Sequence, residues 1–473
     1  MSDPDSAESA IRDTRWVLPA TILGSSLGFI DGSVVNVALP AIQSDLDAGL
    51  ATAQWVVNGY MLMLGSLILL GGTIGDRFGQ RRIFLFGLVG FAIASIACAI
   101  APSPLSLVAA RTIQGIAAAF LVPSSLALIG SAFTGEARGK AIGTWAAAGA
   151  LTTALGPPFG GWLVDTVGWR AIFYINIPIA AAALAMGWRI AAAPAGRTYR
   201  EFDIAGTIAM VAGLGLLSYG LITAGEGNTT IGGLAIAASI PFAIGFFFIE
   251  RRASEPLVPM GLFANSQFSG ANLLTITLYA SLSGSLFILP FVLIYANGYS
   301  ATMAGAALLP FSILLGLGSR YAGALAKRIG TRIMLIAGPA ATGFGYMVLA
   351  LMVDLGGYWL AFFPGLVIIG VGMTITVAPL TTAVFDAAPD DAGGTASGIN
   401  NAASRIGGLI AVAALGFAFG GSDLSILPPE ALRMSYRWIM AAAACLAFAS
   451  ALAAAATIKD KGQQSRAPKP PDR

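Results

Sequence analysis

The chain has 473 residues, and none of them is histidine. Histidine is the side chain that ordinarily changes charge between about pH 5 and 8, and it is the commonest metal ligand in proteins. Its absence excludes a histidine proton relay and most zinc and haem chemistry. Any proton that this protein moves must therefore travel on a carboxylate or on water.

Cysteine is nearly absent as well. Cys98 and Cys445 both lie in apolar runs, which indicates small core residues and not a disulfide or metal framework.

We find no phosphate-binding loop of the form G-x4-G-K-[ST], so an ATP-driven pump is excluded and an ion gradient must supply the energy. We also find no nucleophile–base pair and no metal-ligand set, which argues against an intramembrane enzyme.

Charged residues are scarce, at 10% of the chain, whereas hydrophobic residues make up 56%. Soluble domains carry about 25% charged residues, so this composition predicts a membrane protein. The net charge of +3 is too small to indicate a nucleic-acid partner. No cleavable signal peptide is evident, because the polar first segment is followed by a run long enough to span a membrane.

Fourteen apolar segments are candidate membrane spans, since a helix needs about 20 residues to cross a bilayer core of about 30 Å. If the N-terminus is cytoplasmic, most of the 26 Lys and Arg residues fall on the cytoplasmic side, and the outer loops hold only Arg170, Arg433 and Arg437. The positive-inside rule then places both termini in the cytoplasm. The predicted spans are 16–40, 54–75, 83–101, 105–132, 140–164, 171–192, 203–224, 231–249, 268–296, 303–326, 333–353, 358–385, 396–420 and 436–457.

An internal repeat divides the chain. GTIGDRFGQRR (72–82) follows span two, GALAKRIGTRI (323–333) follows span ten, and Pro123 is matched by Pro379. Six spans repeated as six are typical of secondary transporters, whose site lies near the midplane between the halves. Spans seven and eight are then an insertion. The predicted units are a cytoplasmic segment 1–15, a six-helix bundle 16–193, an insertion 194–265, a second bundle 266–458 and a disordered tail 459–473.

Six motifs in order resemble one known family. They are FIDGSVVNVALP, with Ser33 where Thr is usual, QWVVNGYML, GTIGDRFGQRR, RTIQG, and GPPFGG followed by GWRAIFYINIP. The chain thus resembles the major facilitator superfamily and, within it, the 14-span drug:H+ antiporter-2 family of multidrug efflux transporters. The motifs cover most of the N-terminal half. The repeat extends the resemblance to the C-terminal half.

The resemblance implies an all-α polytopic membrane protein with the major facilitator fold: two six-helix bundles plus two extra central helices. It implies a monomeric proton-coupled antiporter in the plasma (inner) membrane, exporting lipophilic cationic or neutral drugs by alternating access and so conferring antibiotic resistance. Its partners would be small lipophilic substrates, protons and membrane lipid, with the proton gradient as energy source and no cofactor or metal. Relatives work alone or with a periplasmic adaptor. Transport of a specific metabolite on the same fold is the alternative.

Asp31 is the leading candidate for proton coupling, together with Arg111. Asp31 lies about 14 Å from the outer end of span one and Arg111 about 9 Å from the outer end of span four, so the two share a depth. Ionisable residues inside a membrane are rare and usually functional. A fixed buried ion pair, or a counter-charge for the substrate alone, are the alternatives.

Two further motifs have predicted roles. The loop residues Gly72, Asp76, Arg77, Gly79 and Arg81 form a conformational latch in relatives, where the acid docks on the N-terminus of a helix equivalent to span thirteen. An acid is favourable at that helix end.

In span five, the antiporter motif Gly156, Pro157, Gly160 and Gly161 is expected to bend the helix and to close the interface between the halves.

Polar residues within the spans are candidates for a substrate cavity. Span thirteen carries a polar stripe that faces protein or water and not lipid, and a helix–helix seam is the alternative to a cavity. The predicted cavity residues are Asp31, Asn36, Asn58, Tyr60, Asn400, Asn401 and Arg405.

Overall fold

The computed structural model describes residues 4–191, 202–389, 392–422 and 424–459, and these are helical with short connections and no strand. Most of the predicted connector before span seven and almost all of the predicted tail 459–473 lie outside the described residues. The helices are α1 (Pro4–Leu46), α2 (Leu50–Phe78), α3 (Gln80–Ala99), α4 (Pro104–Ala132), α5 (Gly135–Thr166), α6 (Ala171–Tyr174), α7 (Asn176–Gly187), α8 (Ile204–Gly225), α9 (Thr229–Arg252), α10 (Ser266–Phe291), α11 (Ala301–Ala306), α12 (Leu309–Ile329), α13 (Thr331–Met352), α14 (Tyr358–Ala361), α15 (Phe363–Asp386), α16 (Gly393–Ala414) and α17 (Pro429–Thr457), with 3-10 turns at Met260–Ala264 and Leu415–Ala418 and a π-turn at Val292–Ala296.

All fourteen predicted segments are helical, but only twelve helices in the described ranges are long and apolar enough to cross a membrane. Helix α5 is not among the twelve, because its glycines, threonines and prolines lower its hydropathy. The stretch Ala171–Gly187, which contains α6 and α7, is apolar but shorter. An all-helical, multi-pass membrane protein is therefore confirmed, and the count of fourteen spans is not.

The helices pack as two bundles and a pair. Helices α1–α7 (the first bundle) pack mainly on one another, and so do α10–α17 (the second bundle), except that α11 packs mainly on α5. Helices α8 and α9 pack on each other, and α8 contacts α2 of the first bundle and α16 of the second. We call the end of the molecule with Trp16, Asp76 and Arg252 the entry face, and the end with Asp45 and Asp165 the far face.

The repeated loop has the same backbone in both copies. Gly79 has φ +97° and directly precedes α3, and Gly330 has φ +96° and directly precedes α13. Residues with a Cβ rarely adopt this conformation, so glycine at both positions is explained by the turn that it makes. The matched prolines also lie inside helices, Pro123 in α4 and Pro379 in α15.

Alanine at either turn glycine should destabilise the protein. We expect Gly79→Ala and Gly330→Ala each to lower the free energy of unfolding by about 1–3 kcal/mol, because the backbone there disfavours any Cβ. Thermal unfolding in detergent measures the effect. Gly139→Ala is the matched control, since Gly139 lies within α5 without a positive φ and a Cβ there would meet no atom within 4 Å. Equal melting curves for all three variants would contradict the prediction.

Candidate functional site

Asp31 of α1 and Arg111 of α4 form an ion pair inside the first bundle. The Arg111 Nη1 donates to Asp31 Oδ2, and the side chains of Arg111 and Asp31 are 2% and 0% exposed. A buried charge is tolerated only when it is paired and its remaining hydrogen-bonding groups are satisfied. The structure thus brings the two residues predicted for proton coupling into direct contact.

Three further groups hold the guanidinium in place. Arg111 Nε donates to the Val56 carbonyl of α2 at 3.0 Å, and Nη1 donates to Gln114 Oε1 at 2.6 Å. The guanidinium carbon lies 4.4 Å from the centre of the Tyr60 ring, a favourable cation–π distance. Arg111 therefore keeps several partners besides Asp31.

The second carboxylate oxygen of Asp31 is bonded by two amides. Gln114 Nε2 donates to Asp31 Oδ1 at 3.1 Å. Asn176 Nδ2 donates to the same oxygen at 3.4 Å. Both amides also donate to the Ser95 hydroxyl, at 2.9 and 3.3 Å. The network thus joins α1, α3, α4 and α7, and all of these side chains are buried.

Sequence reasoning did not assign roles to Gln114, Asn176 or Ser95. Gln114 stands in the RTIQG motif and Asn176 in the GWRAIFYINIP motif, and Asn176 is a polar residue at the start of an apolar helix. Those were the available signals. Nothing in the sequence marked Ser95, because serine is common in membrane helices.

Removing only the arginine of the pair should be costly. Arg111→Met leaves a buried carboxylate without its cation, and we expect the free energy of unfolding to fall by about 3–5 kcal/mol. The double variant Asp31→Asn/Arg111→Met carries no unpaired charge and should recover most of that loss. Reversible unfolding in mixed micelles measures both. If Arg111→Met were as stable as the wild type, the pair would not be desolvated in the protein.

Asn58 and Tyr60 lie beside the network with unused polar atoms. Both amide atoms of Asn58 and the Tyr60 hydroxyl are buried, and they bond to no protein group in the described residues. Buried polar groups usually have partners, so such atoms often mark a functional site.

Asn400 and Asn401 of α16 were both predicted to line the cavity, but their surroundings differ. Asn400 donates to Asn272 Oδ1 at 3.2 Å and Thr275 Oγ1 at 2.7 Å, so it lies in a seam with α10. Asn401 is exposed and donates to the carbonyl of Ser397 in its own helix.

Arg405 and Asn36 lie nearer to the contact between the bundles. Arg405 is half-buried against Gly65 of α2, where an added Cβ would lie 2.9 Å from the Arg405 Cβ. Its buried Nε has no hydrogen-bond partner among the residues described. Asn36 is half-buried on α1, between Asp31 and the far face.

Several hydrogen bonds join the two bundles at the far face. Gln54 Nε2 donates to the carbonyls of Val412 and Ala413 at 2.6 and 3.1 Å, and the Tyr295 hydroxyl donates to the Pro40 carbonyl at 3.1 Å.

Asp165, at the end of α5, accepts from the backbone N–H of Ala301 at 3.1 Å and of Thr302 at 2.7 Å. Sequence reasoning did not single out Asp165. The Thr302 hydroxyl donates to the same carboxylate at 2.5 Å. Because these groups start α11, the carboxylate caps a helix of the opposite bundle.

The GPPFGG motif of α5 lies between α1 and the contact of Asp165 with α11. A Cβ on Gly156 would overlap the Ser33 hydroxyl, and one on Gly160 would overlap the Val34 side chain, so both glycines allow α5 to pack closely on α1. On its other side, Gly161 lies against the backbone of Ala301, and Gly305 of α11 lies against that of Pro157. The motif therefore lies between the helix of Asp31 and the second bundle.

The end of α2, the turn at Gly79 and the start of α3 lie at the entry face. Asp76 is exposed, and in the described part of the chain its carboxylate is bonded by Gln80 Nε2 at 2.7 Å. Arg81 donates to the carbonyls of Gly187 and Trp188 at 3.2 and 2.6 Å, at the end of α7. The guanidinium of Arg77 lies 4.7 Å from the centre of the Phe202 ring.

Gly72 packs near Pro123, since a Cβ added to this glycine would lie 3.8 Å from the proline Cβ. The contact of Asp76 with α16 that was predicted for the latch is not among the bonds of the described residues in this state. The latch stays a prediction.

Comparison with known proteins identifies relatives over most of the chain. The family model of the Major Facilitator Superfamily matches residues 21–412 and 271–473. The tetracenomycin C resistance and export protein of Streptomyces glaucescens is 35% identical over 430 residues, 89% of this chain and 79% of that protein. The methylenomycin A resistance protein of Bacillus subtilis is 36% identical over 406 residues, 85% of this chain and 86% of that protein. The multidrug resistance protein Stp of Mycobacterium tuberculosis is 34% identical over 423 residues, 89% of this chain and 78% of that protein.

Solved transporter structures share the fold. The POT family transporter PepTSo superposes with a TM-score of 0.66 at 16% identity, covering 96% of this chain and 99% of that one. A bacterial homologue of the human lysosomal transporter Spinster, in an inward-facing and unoccupied conformation, gives a TM-score of 0.66 at 17% identity, covering 95% and 99%.

Proposed function

Because the chain belongs to the Major Facilitator Superfamily, we propose that it is a proton-coupled antiporter that exports small lipophilic compounds, cationic or neutral, by alternating access. The chain is a transporter and not an enzyme, as its family and relatives establish. The proposed substrate class rests on relatives named for antibiotic resistance, multidrug resistance and export. The proposed energy source is the proton gradient, without a cofactor.

The main support for proton coupling is the buried network around Asp31 and Arg111. A buried carboxylate is neutralised either by a proton or by a cation, and Arg111 supplies the cation in this structure. A proton on Asp31 would weaken its bond to Arg111. A substrate that draws Asp31 or Arg111 out of the pair would change the affinity of the carboxylate for the proton. Proton and substrate would then compete for one site, as exchange requires.

The structure fits a state that is closed at the far face and open at the entry face. Gln54, Tyr295 and Asp165 hold the bundles together at the far face. Asp76, the proposed entry-face latch, is exposed in the last turn of α2 and accepts a hydrogen bond from Gln80 at the start of α3. We assign the entry face to the cytoplasm, which places both termini inside, and the membrane to the plasma (inner) membrane. In the opposite state, Asp76 would dock on the start of α16.

We further propose that α5 and the segment Ala171–Gly187 also cross the membrane, which would complete fourteen spans. Helix α5 packs on α1 along its length and reaches from Glu136 to Asp165, so it extends between the two faces. Ala171–Gly187 connects Arg170 of the far face to Trp188 of the entry face. Fourteen spans, with α8 and α9 as the insertion, would place the chain in the drug:H+ antiporter-2 family.

Transport in inverted vesicles tests the function. Vesicles with an acidic lumen and a pH-sensitive dye would receive lipophilic cations such as ethidium, or neutral lipophilic compounds. We expect compound addition to release protons from the lumen and the compound to accumulate there. Vesicles without the protein and vesicles treated with a protonophore are the controls.

Different results would separate the parts of the proposal. Accumulation of the compound without proton release would contradict antiport but keep an exporter of drugs. Proton release with a specific metabolite and with none of the lipophilic compounds would replace the proposed substrate class by that metabolite.

A further inference from the structure

Two carboxylates face each other at the entry-face end of the α8–α9 pair, in a region to which the transport mechanism assigns no role. Asp203 precedes α8, and Glu250 lies in the last turn of α9. Glu250 is only 2% exposed, although glutamate is almost never buried without a partner. A buried acid at this position requires a physical explanation.

Each carboxylate uses one oxygen for a backbone donor. Asp203 Oδ1 accepts from the Gly206 N–H at 2.7 Å and so caps the start of α8. Glu250 Oε2 accepts from the Val258 N–H at 3.0 Å, in the connector to the second bundle. These two bonds fix the orientation of both groups.

The two remaining oxygens converge. Asp203 Oδ2 and Glu250 Oε1 are buried and accept no hydrogen bond from any described residue. A Cβ added to Gly206 would lie 2.8 Å from Asp203 Cγ and 2.9 Å from Glu250 Oε1, so both groups meet where Gly206 leaves room. They are close enough to share a hydrogen bond.

No described cation neutralises the pair. Arg77 lies over the Phe202 ring and Arg251 over the Phe247 ring. Arg252 and Glu255 line an open cavity of about 390 Å³ next to Asp203, and neither Asp203 nor Glu250 forms an ion pair within the described ranges. Two neighbouring carboxylates repel each other unless a proton or a cation lies between them. Calcium and magnesium need about six or more oxygen ligands, so a proton fits this pair better.

We propose that Asp203 and Glu250 bind one proton between their facing oxygens and form a second proton site, separate from the Asp31–Arg111 pair, that fixes the entry-face end of α8–α9. The inference goes beyond the proposed antiport and does not depend on it. When the proton leaves, the two charges repel, and the half-buried Asp203 turns towards the adjoining cavity. The cap on Gly206 is then lost.

The release would reach the end of α2. Phe202 precedes Asp203 and stacks on Phe78 with 6.1 Å between ring centres, and Arg77 covers the same Phe202 ring. Both contacts involve the last turn of α2, which also carries Asp76. Loss of the proton at the entry face would therefore loosen the start of α8 and, through Phe202, the last turn of α2.

Infrared spectroscopy of the full-length protein tests the shared proton. Near neutral pH, a buried protonated carboxyl should give a C=O band in the wild type. Asp203→Asn and Glu250→Gln should each lose that same band, because the new amide donates to the remaining carboxylate and makes the proton unnecessary. Glu226→Gln is the matched control, since Glu226 is an exposed acid at the other end of α8. Retention of the band in either variant would overturn the proposal.

Hydrogen exchange at Gly206 tests the structural effect. After correction for intrinsic rates, exchange in the wild type should speed up with rising pH by up to about tenfold per pH unit, the slope of one proton. Asp203→Asn and Glu250→Gln keep the donor in place and should show no such rise, whereas Glu226→Gln should behave as the wild type. A pH-independent rate in the wild type, or the same rise in both amide variants, would also overturn the proposal.

Discussion

Replacing Asp31 by asparagine should reduce substrate-driven proton release to the level of vesicles that lack the protein. Asparagine has nearly the same shape and can still accept from Arg111, but it cannot bind and release a proton. Arg111 would keep its bonds to Val56 and Gln114 and its contact with the Tyr60 ring. We therefore expect a folded protein that has lost its coupling.

The fold of the Asp31→Asn variant can be checked separately from its transport. Its new amide would face the donors of Gln114 and Asn176, and Arg111 would become a buried cation without its anion, so we expect a stability loss of about 3–5 kcal/mol, with monodisperse protein on gel filtration. Asp354→Asn is the matched control, because it removes a carboxylate from the exposed pair with Arg437, and surface pairs contribute about 0–1 kcal/mol.

Normal exchange in folded Asp31→Asn protein would show that another group carries the proton. In that case Asp31 and Arg111 would form a fixed ion pair that only supports the bundle. Loss of exchange in Asp354→Asn as well would indicate a general effect of removing an acid and not a specific role of Asp31.

Alanine at Gly161 should prevent the far face from closing. Its Cβ would lie 2.6 Å from the Ala301 carbonyl carbon and 2.9 Å from Thr302 Cα, and these backbone atoms cannot rotate away. Overpacking costs about 1–3 kcal/mol, which shifts a two-state equilibrium by about 5- to 150-fold. We expect export to fall by a similar factor, because the state with the open far face becomes dominant.

Cysteine labelling measures the shift. Asn36→Cys, on α1 between Asp31 and the far face, should react faster with a membrane-impermeant maleimide added at the far face when Gly161→Ala is also present. The native Cys98 is buried, and Cys445 sets a background that is common to all variants. Gly143→Ala is the matched control on the same helix, because a Cβ at Gly143 would meet no atom within 4 Å. Equal labelling of both alanine variants would show that Gly161 does not control closure.

The sequence alone determined the class of the protein and the positions of its helices. Long apolar segments with few charges predict membrane helices because the bilayer core forbids unpaired backbone groups, and this constraint acts on each segment separately. The acid and the arginine inside spans were visible for the same reason, since each is costly in lipid. The repeated loop was also visible, and Gly79 and Gly330 have the same positive φ because each makes the same turn.

Only the tertiary structure decided which polar groups meet. Asn400 and Asn401 are adjacent in one polar stripe, yet Asn400 bonds to α10 and Asn401 is exposed. Asp165 and Ala301, or Asp203 and Glu250, are far apart in the chain and carry no local pattern that pairs them. Helix formation depends on nearby residues, whereas these contacts depend on how whole helices pack. The apolar segments of the sequence therefore predicted the helices, and the packing of these helices determined the network around Asp31, the far-face closure and the carboxylate pair.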